Sequence, residues 1–189
     1  MKDETELLTV EKLVEETLKE SKAARNSDMF LYVKIGGCME ILIDSREKQK
    51  AIKNIIATFD QNGVKYASSK LFVGDYQNID NPRLVIDRKQ NLNELCSNVC
   101  QQHARFKAEL LRAVEFKIRL VFLVEHGKGI TTLDDVKKWQ NPRKKTSPNA
   151  TDGERLYKIL KTIEERYDTK FVFCEKKNTG EEILRILRG

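Results

Sequence analysis

The sequence is poor in the residues that mark exported, cross-linked or membrane proteins. It has three prolines and one tryptophan in 189 residues, and no apolar run reaches the roughly 20 residues that span a bilayer. Residues 1–20 are acidic and lack the apolar core of an export signal. The four cysteines, at positions 38, 96, 100 and 174, form no CxxC pair. These absences predict an intracellular protein with reduced thiols, in the cytoplasm or nucleoid of a bacterium or phage or in a eukaryotic nucleus.

Charge, by contrast, is plentiful. Lysine and arginine number 35 against 29 acidic residues, which gives a net charge of +6. A basic excess of this size is compatible with a nucleic-acid partner but does not establish one. Residues 138–145 hold four basic residues and no acid. The length predicts one globular unit over residues 38–189 and an N-terminal helical and strand extension over residues 1–37.

The spacing of apolar residues alternates between the two periods of regular structure. Strands are predicted at residues 39–44, 64–67, 71–73, 84–86, 118–125 and 170–176, and helices at 47–62, 92–100, 106–114, 133–139 and after Thr151 and Thr179. Thr151 with Glu154, and Thr179 with Glu182, fit capping boxes. Residues 140–149 are expected to be a mobile basic loop. The alternation predicts an α/β fold in which helices cover a mixed sheet.

Three of the predicted strands end in an aspartate, at Asp44, Asp75 and Asp87. If these strands are neighbours, three carboxylates converge at one edge of the sheet and repel one another unless a hard cation sits between them. Mg²⁺ takes oxygen ligands and needs few protein groups, so two or three carboxylates fit it. The pattern therefore predicts a divalent-metal site, at which the metal neutralises phosphate oxygens and activates a water molecule.

Two basic residues follow Asp87 directly. Lys89 lies two positions beyond it, so on a strand both side chains point to the same face. Its ammonium group would position or help deprotonate the attacking water, or stabilise the charge that develops in the transition state. Arg88 points to the other face, where it would hold a carboxylate or contact backbone phosphate. Acids at strand ends also occur as plain turn residues. However, Gly74-Asp75 followed by Asp87-x-Lys89 has the layout of metal-dependent nucleases of the restriction-enzyme type.

The wider set of motifs resembles the nuclease domain of the XPF/Mus/Hef structure-specific endonucleases, which belong to the restriction-endonuclease-like PD-(D/E)xK superfamily. The motifs are "ILIDSREK", "VGDYQ", "LVIDRK", "ARFKAEL" and "RLVFLVE", and they occur in the order found in that family. The family's Asp-x-Arg-Glu matches Asp44, Arg46 and Glu47. Its Gly-Asp-Tyr matches residues 74–76, and its Glu-Arg-Lys signature matches residues 87–89. Its arginine motif matches Arg105 to Glu109.

The resemblance implies a restriction-endonuclease-like sheet flanked by helices on both faces. It also implies a Mg²⁺-dependent endonuclease, with Mn²⁺ as a substitute, that cleaves branched, flapped or forked DNA in repair or recombination. The catalytic set would be Asp44, Asp75, Asp87, Lys89, Arg46 and Arg88, with the three aspartates on the metal. Contacts to DNA would come from Arg105, Lys107, Arg143, Lys144 and Lys145. Pairing with a second subunit through this domain, as a homodimer or heterodimer, is a further implication.

Departures from the family pattern leave some roles open. Asp87 stands where the family has glutamate, and Glu94 is one residue away from the position of a later family acid. Whether Glu47, Glu94 or Glu125 joins the site is undecided by the sequence. The residues after Glu125 resemble α/β structure rather than the family's helix-hairpin-helix module, so a stand-alone form is expected. An inactive DNA-binding or scaffold subunit and a sequence-specific restriction enzyme are the alternatives.

Overall fold

The computed structural model describes residues 39–127 and 129–189, so the predicted N-terminal extension lies outside the described residues. The strands are β1 (Glu40–Asp44), β2 (Lys65–Ser69), β3 (Tyr76–Asn78), β4 (Asn81–Lys89), β5 (Arg119–Glu125) and β6 (Lys170–Cys174). The α-helices are α1 (Gln49–Gln61), α2 (Leu92–Cys100), α3 (His103–Glu115), α4 (Gly153–Tyr167) and α5 (Thr179–Arg188). Short 3₁₀ helices cover Asp134–Lys138, Pro142–Lys145 and Lys176–Asn178.

The strands form one mixed sheet in the order β2-β1-β3-β4-β5-β6. Strands β1 and β2, β4 and β5, and β5 and β6 pair in parallel, whereas β3 runs antiparallel to both of its neighbours. The predicted α/β class with a mixed sheet is therefore confirmed. Each helix in the described ranges falls short of the length and apolarity needed to cross a bilayer.

Helices cover both faces of the sheet, as predicted, and each face has its own core. On one face α2, α3 and α4 pack against β4, β5 and β6, and the core there includes Leu95, Phe106, Leu110, Phe122, Leu156 and Leu160. On the other face α1 and α5 cover a core that includes Ile52, Phe59, Ile86, Leu123, Ile183 and Leu187. Successive residues of β4 and β5 alternate between these cores, because strand side chains point to opposite faces. This explains why both strands are apolar almost throughout.

The segment 71–73 is not the strand that its apolar residues predicted. Leu71 and Val73 are buried and Phe72 is exposed, which imitates strand alternation. However, the backbone N–H of Leu71 donates to the Asp44 side chain at 2.8 Å rather than to a neighbouring strand. The strand β3 begins only at Tyr76. Asp75 therefore lies just before a strand, not at the end of one.

Two helix starts and one loop also differ from the sequence predictions. Asp152, not Thr151, caps α4, and its side chain accepts from Arg155 N at 2.9 Å. The Thr179 hydroxyl donates to Glu125 instead of capping α5. Within the basic loop, Pro142–Lys145 forms a 3₁₀ helix, whose first turn is closed by an Asn141 side chain that accepts from Arg143 N at 3.0 Å. A polar side chain can bond to any of several nearby backbone groups, and the spacing of apolar residues does not show which of them it bonds to.

The start of α4 packs so closely against neighbouring backbone atoms that one added methyl group is predicted to lower the stability of the fold. A Cβ on Gly153 would lie 2.6 Å from the Lys137 carbonyl oxygen and 2.7 Å from that of Trp139. Because backbone atoms cannot step aside, Gly153→Ala is expected to lower the free energy of unfolding by about 2–3 kcal/mol in urea titrations. Gly63→Ala is the control. Gly63 has φ +64°, and a Cβ there would have no neighbouring atom within 4 Å, so only about 1 kcal/mol of backbone strain is expected. Equal losses would mean that the contact at Gly153 is unimportant.

Candidate active site

A polar cavity of about 400 Å³ opens where β4 ends, between the loop before β3 and helices α2 and α3. Two features distinguish its walls: charged side chains of both signs, and a position at the carboxyl end of a central strand, where α/β sheets place their ligands. The charged residues that line it are Glu47, Asp75, Arg88, Lys89, Glu94, Arg105 and Glu109.

Asp75 is positioned by backbone hydrogen bonds to β4. Its N–H donates to the Ile86 carbonyl at 2.7 Å, and its Oδ2 accepts from Arg88 N at 2.8 Å. Gly74 permits this close approach, because it has φ +68° and any Cβ there would lie 2.8 Å from the Ile86 oxygen. Burial raises the pKa of Asp75 well above its usual value, and the charges of Asp87 and Glu47 raise it further.

Asp87 and Lys89 lie on the same face of β4, as the strand alternation requires, and form an ion pair of 2.5 Å between Oδ1 and Nζ. Both residues are buried. Burial raises the pKa of Asp87 to about 6, although Lys89 opposes this. For Lys89, burial lowers the pKa, but Asp87 and the other nearby acids outweigh it and the net shift is upward. The ammonium group is therefore protonated at neutral pH. It can supply positive charge and a hydrogen bond, and it is a poor base.

Arg88 points to the opposite face, where it joins two acids. Its Nη2 lies 2.8 Å from Glu47 Oε2, and its Nη1 lies 2.9 Å from Glu125 Oε1. Tyr76 also donates to Glu47 Oε2, at 3.1 Å, and Thr179 donates to Glu125 Oε1 at 3.0 Å. The guanidinium group is thus a link in the fold that holds Glu47 at the cavity wall.

Asp44 is not brought to the cavity. Its Oδ1 accepts from Arg46 N at 2.8 Å and from Arg46 Nε at 2.6 Å. Its Oδ2 accepts from Arg46 Nη2 at 2.9 Å and from Leu71 N at 2.8 Å. Burial raises the pKa of Asp44, but these hydrogen bonds outweigh it and the net shift is downward. With four donors around it, this carboxylate anchors the loop before β3. The Asp44 backbone lies beside Asp75, to whose carbonyl its N–H donates at 2.8 Å, and its role as a metal ligand stays a prediction.

The other predicted residues are dispersed. Arg105 is exposed and lines the cavity, whereas Lys107 faces a different groove on the other side of α3. Arg143 lines a separate cleft, and Lys144 pairs with Asp152 at 3.2 Å. Glu94 lines the cavity and accepts from Gln90 N at 2.8 Å at the start of α2.

Besides Glu94, two carboxylates outside the predicted catalytic set, Glu47 and Glu109, line the cavity. Glu47 precedes α1, and Glu109 on α3 accepts from Gly74 N at 3.2 Å. Arg105 and Glu109 are four residues apart, so they share one helix face. In the sequence, Glu109 is indicated by its spacing of four residues from Arg105 and by its position next to the buried residues Phe106 and Leu110. The family motifs contain both acids, and for Glu47 they are the only signal.

The donor chemistry of the cavity fits a hard divalent cation. Carboxylate oxygens are the ligands that Mg²⁺ prefers, and it keeps several waters, so one or two carboxylates suffice. Asp75 lines the cavity, whereas Asp87 is buried and is not among the lining residues. The charge of Asp87 nevertheless acts on Asp75, and a cation would offset both the burial and the repulsion that raise the pKa of Asp75. Over residues 39–127 and 129–189, however, no three acidic, histidine or cysteine side chains lie close enough together to form a complete metal site. The fit is therefore to a metal that is held largely by water.

The buried Arg88 network predicts a large loss of stability when its charge is removed. Arg88→Met leaves Glu125 buried, with Oε2 already lacking a hydrogen-bond partner among the described residues. Loss of one partner of a buried ion pair typically costs about 3–5 kcal/mol, and that decrease is expected in urea unfolding. The double variant Arg88→Met with Glu125→Gln should recover part of it. No recovery would show that Glu125 is not the acid that requires Arg88.

Comparison with known proteins supports the motif resemblance. A profile of the ERCC4 domain matches residues 43–187. No curated protein sequence matches the chain.

Solved structures share the fold. XPF from Aeropyrum pernix is 17% identical with a TM-score of 0.56, and the match covers 79% of this chain and 63% of that one. XPF from Aeropyrum pernix in complex with DNA is 16% identical, also with a TM-score of 0.56, over 79% and 64% of the two chains. The chain thus spans slightly less than two thirds of these structures. Because the profile match covers most of the chain, from β1 to α5, the chain belongs to the ERCC4 domain family.

Proposed function

We propose that the protein is a divalent-metal-dependent endonuclease that hydrolyses phosphodiester bonds in branched, flapped or forked DNA. The observation that carries the proposal is the arrangement of Asp75, Asp87 and Lys89. The carboxylate of Asp75 is held by Arg88 N, and the second carboxylate and the ammonium group form a buried pair two residues apart on the same strand. Such a set of two acids and a lysine suits metal-assisted attack of water on a phosphodiester.

Asp75 and Asp87 are the residues proposed to hold Mg²⁺, and Glu47 and Glu109, which line the same cavity as Asp75, are proposed to contact its waters. When bound, the metal would lower the pKa of a water molecule and neutralise charge on the phosphate. Glu47 cannot turn away easily, because Arg88 and Tyr76 both donate to its Oε2. The wall of the site is therefore organised before any substrate arrives, which is how electrostatic catalysis avoids a reorganisation cost.

Lys89 is proposed to stabilise the negative charge that develops on the phosphate in the transition state. Its pKa is raised, so the proton stays on the nitrogen at neutral pH. The protonated state of Lys89 favours stabilisation of charge as its role, rather than abstraction of a proton from the attacking water. With a cation held by Asp87, the ammonium group that now pairs with this carboxylate would be available to donate to the phosphate.

The DNA is proposed to reach the cavity past Arg105, which is exposed at its wall. A net charge of +6 supports association with a polyanion, and one of the similar solved structures is a complex with DNA. Contacts from Arg143, Lys144 and Lys145 remain a prediction, as does pairing with a second subunit. The preference for branched DNA is proposed from the family alone, and the chain spans less than two thirds of the XPF structures.

Metal binding provides a test that needs no substrate. Calorimetric titration with Mn²⁺ should show a site that Asp75→Asn weakens by about tenfold or more, because a carboxylate that holds the ion becomes a neutral amide. Asp44→Asn is the matched control, since its carboxylate is already bound by Arg46 and Leu71. It should change Mn²⁺ affinity less than about twofold, since losing charge-assisted hydrogen bonds lowers folding stability instead, by about 1–3 kcal/mol. If Asp44→Asn stays folded and loses the site, Asp44 is a ligand and the proposed pair is incomplete.

Cleavage tests the role of Lys89. The protein should be assayed on labelled single-stranded, duplex, flap, fork and four-way DNA, with and without Mg²⁺ or Mn²⁺. Lys89→Ala is expected to lower the cleavage rate by about 10²–10³, or roughly 3–4 kcal/mol, because one preorganised group is lost from the transition state. DNA affinity should change little. Lys89→Arg keeps the charge but not the compact ammonium group, and it should be nearly as slow.

Two results would contradict the proposal. Near-normal cleavage of flapped DNA by Lys89→Ala would exclude the lysine from the chemistry. DNA binding without cleavage by the wild-type protein, on every substrate and with either metal, would favour an inactive binding subunit.

A further inference from the structure

A second groove, of about 380 Å³, lies between α3 and α4 and is separate from the carboxylate cavity. Its floor is apolar and includes Phe106, Leu110, Ile159 and Ile163, with Tyr167 at the same wall. Its rim is basic. The exposed side chains there are His103, Lys107, Arg155, Lys158, Thr162 and Arg166.

The rim is positively charged because the basic and acidic residues of α4 lie on different faces of the helix. Positions 155, 158, 162 and 166 recur every three or four residues and so share the face toward the groove. None of the groove's lining residues is acidic. The acids of α4 that lie outside this face are Glu154, Glu164 and Glu165, and Glu164 is engaged by Phe171 N at 2.9 Å. A groove of one sign with apolar walls concentrates its electrostatic field and attracts a ligand of the opposite sign.

The groove adjoins the proposed active site. Phe106 lines both cavities, and each of the residues beside it in the sequence lines one of them. Arg105 lies in the wall of the carboxylate cavity and Lys107 in the groove. Successive helix residues are about 100° apart, so a strand of DNA that passes over Phe106 would meet a cation on each side.

The combination of a cationic rim and an apolar floor with a tyrosine resembles the surfaces that bind single-stranded nucleic acid. In those surfaces basic groups follow the backbone, and apolar or aromatic groups contact the bases. A second copy of this chain is a weaker candidate, despite the exposed Leu111 and Val114 on α3. In a symmetric contact the same surface meets itself, and that would bring two basic rims together.

On the basis of the proposed function, we propose that the groove between α3 and α4 binds the sugar-phosphate backbone of a single DNA strand adjacent to the carboxylate cavity. The phosphates lie along Lys107, Lys158 and Arg166, and the bases contact the apolar floor. This assigns part of the substrate's unpaired arm to a surface on the nuclease domain itself.

The test uses binding without metal, so that it does not depend on cleavage. A fluorescently labelled oligothymidine of about 20 nucleotides exceeds the usual site size of such surfaces. Its anisotropy is measured with the full-length protein in EDTA over a series of salt concentrations. The variant is Lys158→Ala with Arg166→Ala. The matched control is Lys161→Ala with Lys53→Ala, which removes the same charge from exposed positions that do not line the groove.

The groove variant is expected to bind about tenfold more weakly than the control. Its salt slope should fall by about 1.4, because each lost single-strand phosphate contact removes about 0.7. Sedimentation velocity should give the same mass for the two variants. Equal affinities and slopes for the two variants would overturn the proposal. So would a weaker affinity accompanied by a smaller sedimenting species, since the groove would then be a subunit contact. A wild-type protein that binds through the groove but cleaves no DNA would leave this inference standing and refute the proposed chemistry instead.

Discussion

The buried guanidinium group of Arg88 is the interaction on which the rest of the site depends. It lies at the end of the central strand β4 and binds Glu47, which precedes α1, and Glu125, which ends β5. Through these acids it reaches Tyr76 of β3 and Thr179 of α5. A buried charge with incomplete partners is costly, so these segments must all be in place before the arrangement is stable. The site is thus tied to the completion of the α1 and α5 face of the fold.

Because side chains alternate along β4, residues with different roles point to different faces of the sheet. Asp87 and Lys89 point toward α2 and α3, and Arg88 points toward α1 and α5. Lys89 and Arg88 both line the cavity at the end of β4, whereas Asp87 is buried and does not line it. Three successive residues therefore supply a carboxylate, a structural link and an ammonium group. A shift of register by one residue would exchange these roles, since every side chain would move to the opposite face. The six-residue pairing of β4 with β5 fixes that register.

The sequence predicted what depends on periodicity and missed what depends on individual hydrogen bonds. The alternation of apolar spacing predicted the α/β class and the shared orientation of Asp87 and Lys89, because burial determines those features, and the family resemblance added that helices cover both faces. It did not show that Arg46 would reach back to bind Asp44, or that Leu71 would donate to the same carboxylate. Those bonds form a loop where a strand was predicted, and they engage the Asp44 carboxylate that was predicted to bind the metal. Polar side chains with several possible partners leave no trace in the apolar pattern.

Gly74 has a consequence for how such a site can evolve. Its φ of +68° and its closeness to Val85 and the Ile86 carbonyl leave no room for a side chain. The next residue, Asp75, depends on that closeness to accept from Arg88 N. A replacement at position 74 would therefore disturb the backbone and move the carboxylate in one step. Position 74 therefore cannot change by small steps, and descendants of this chain keep the glycine or lose the arrangement of charges beside it.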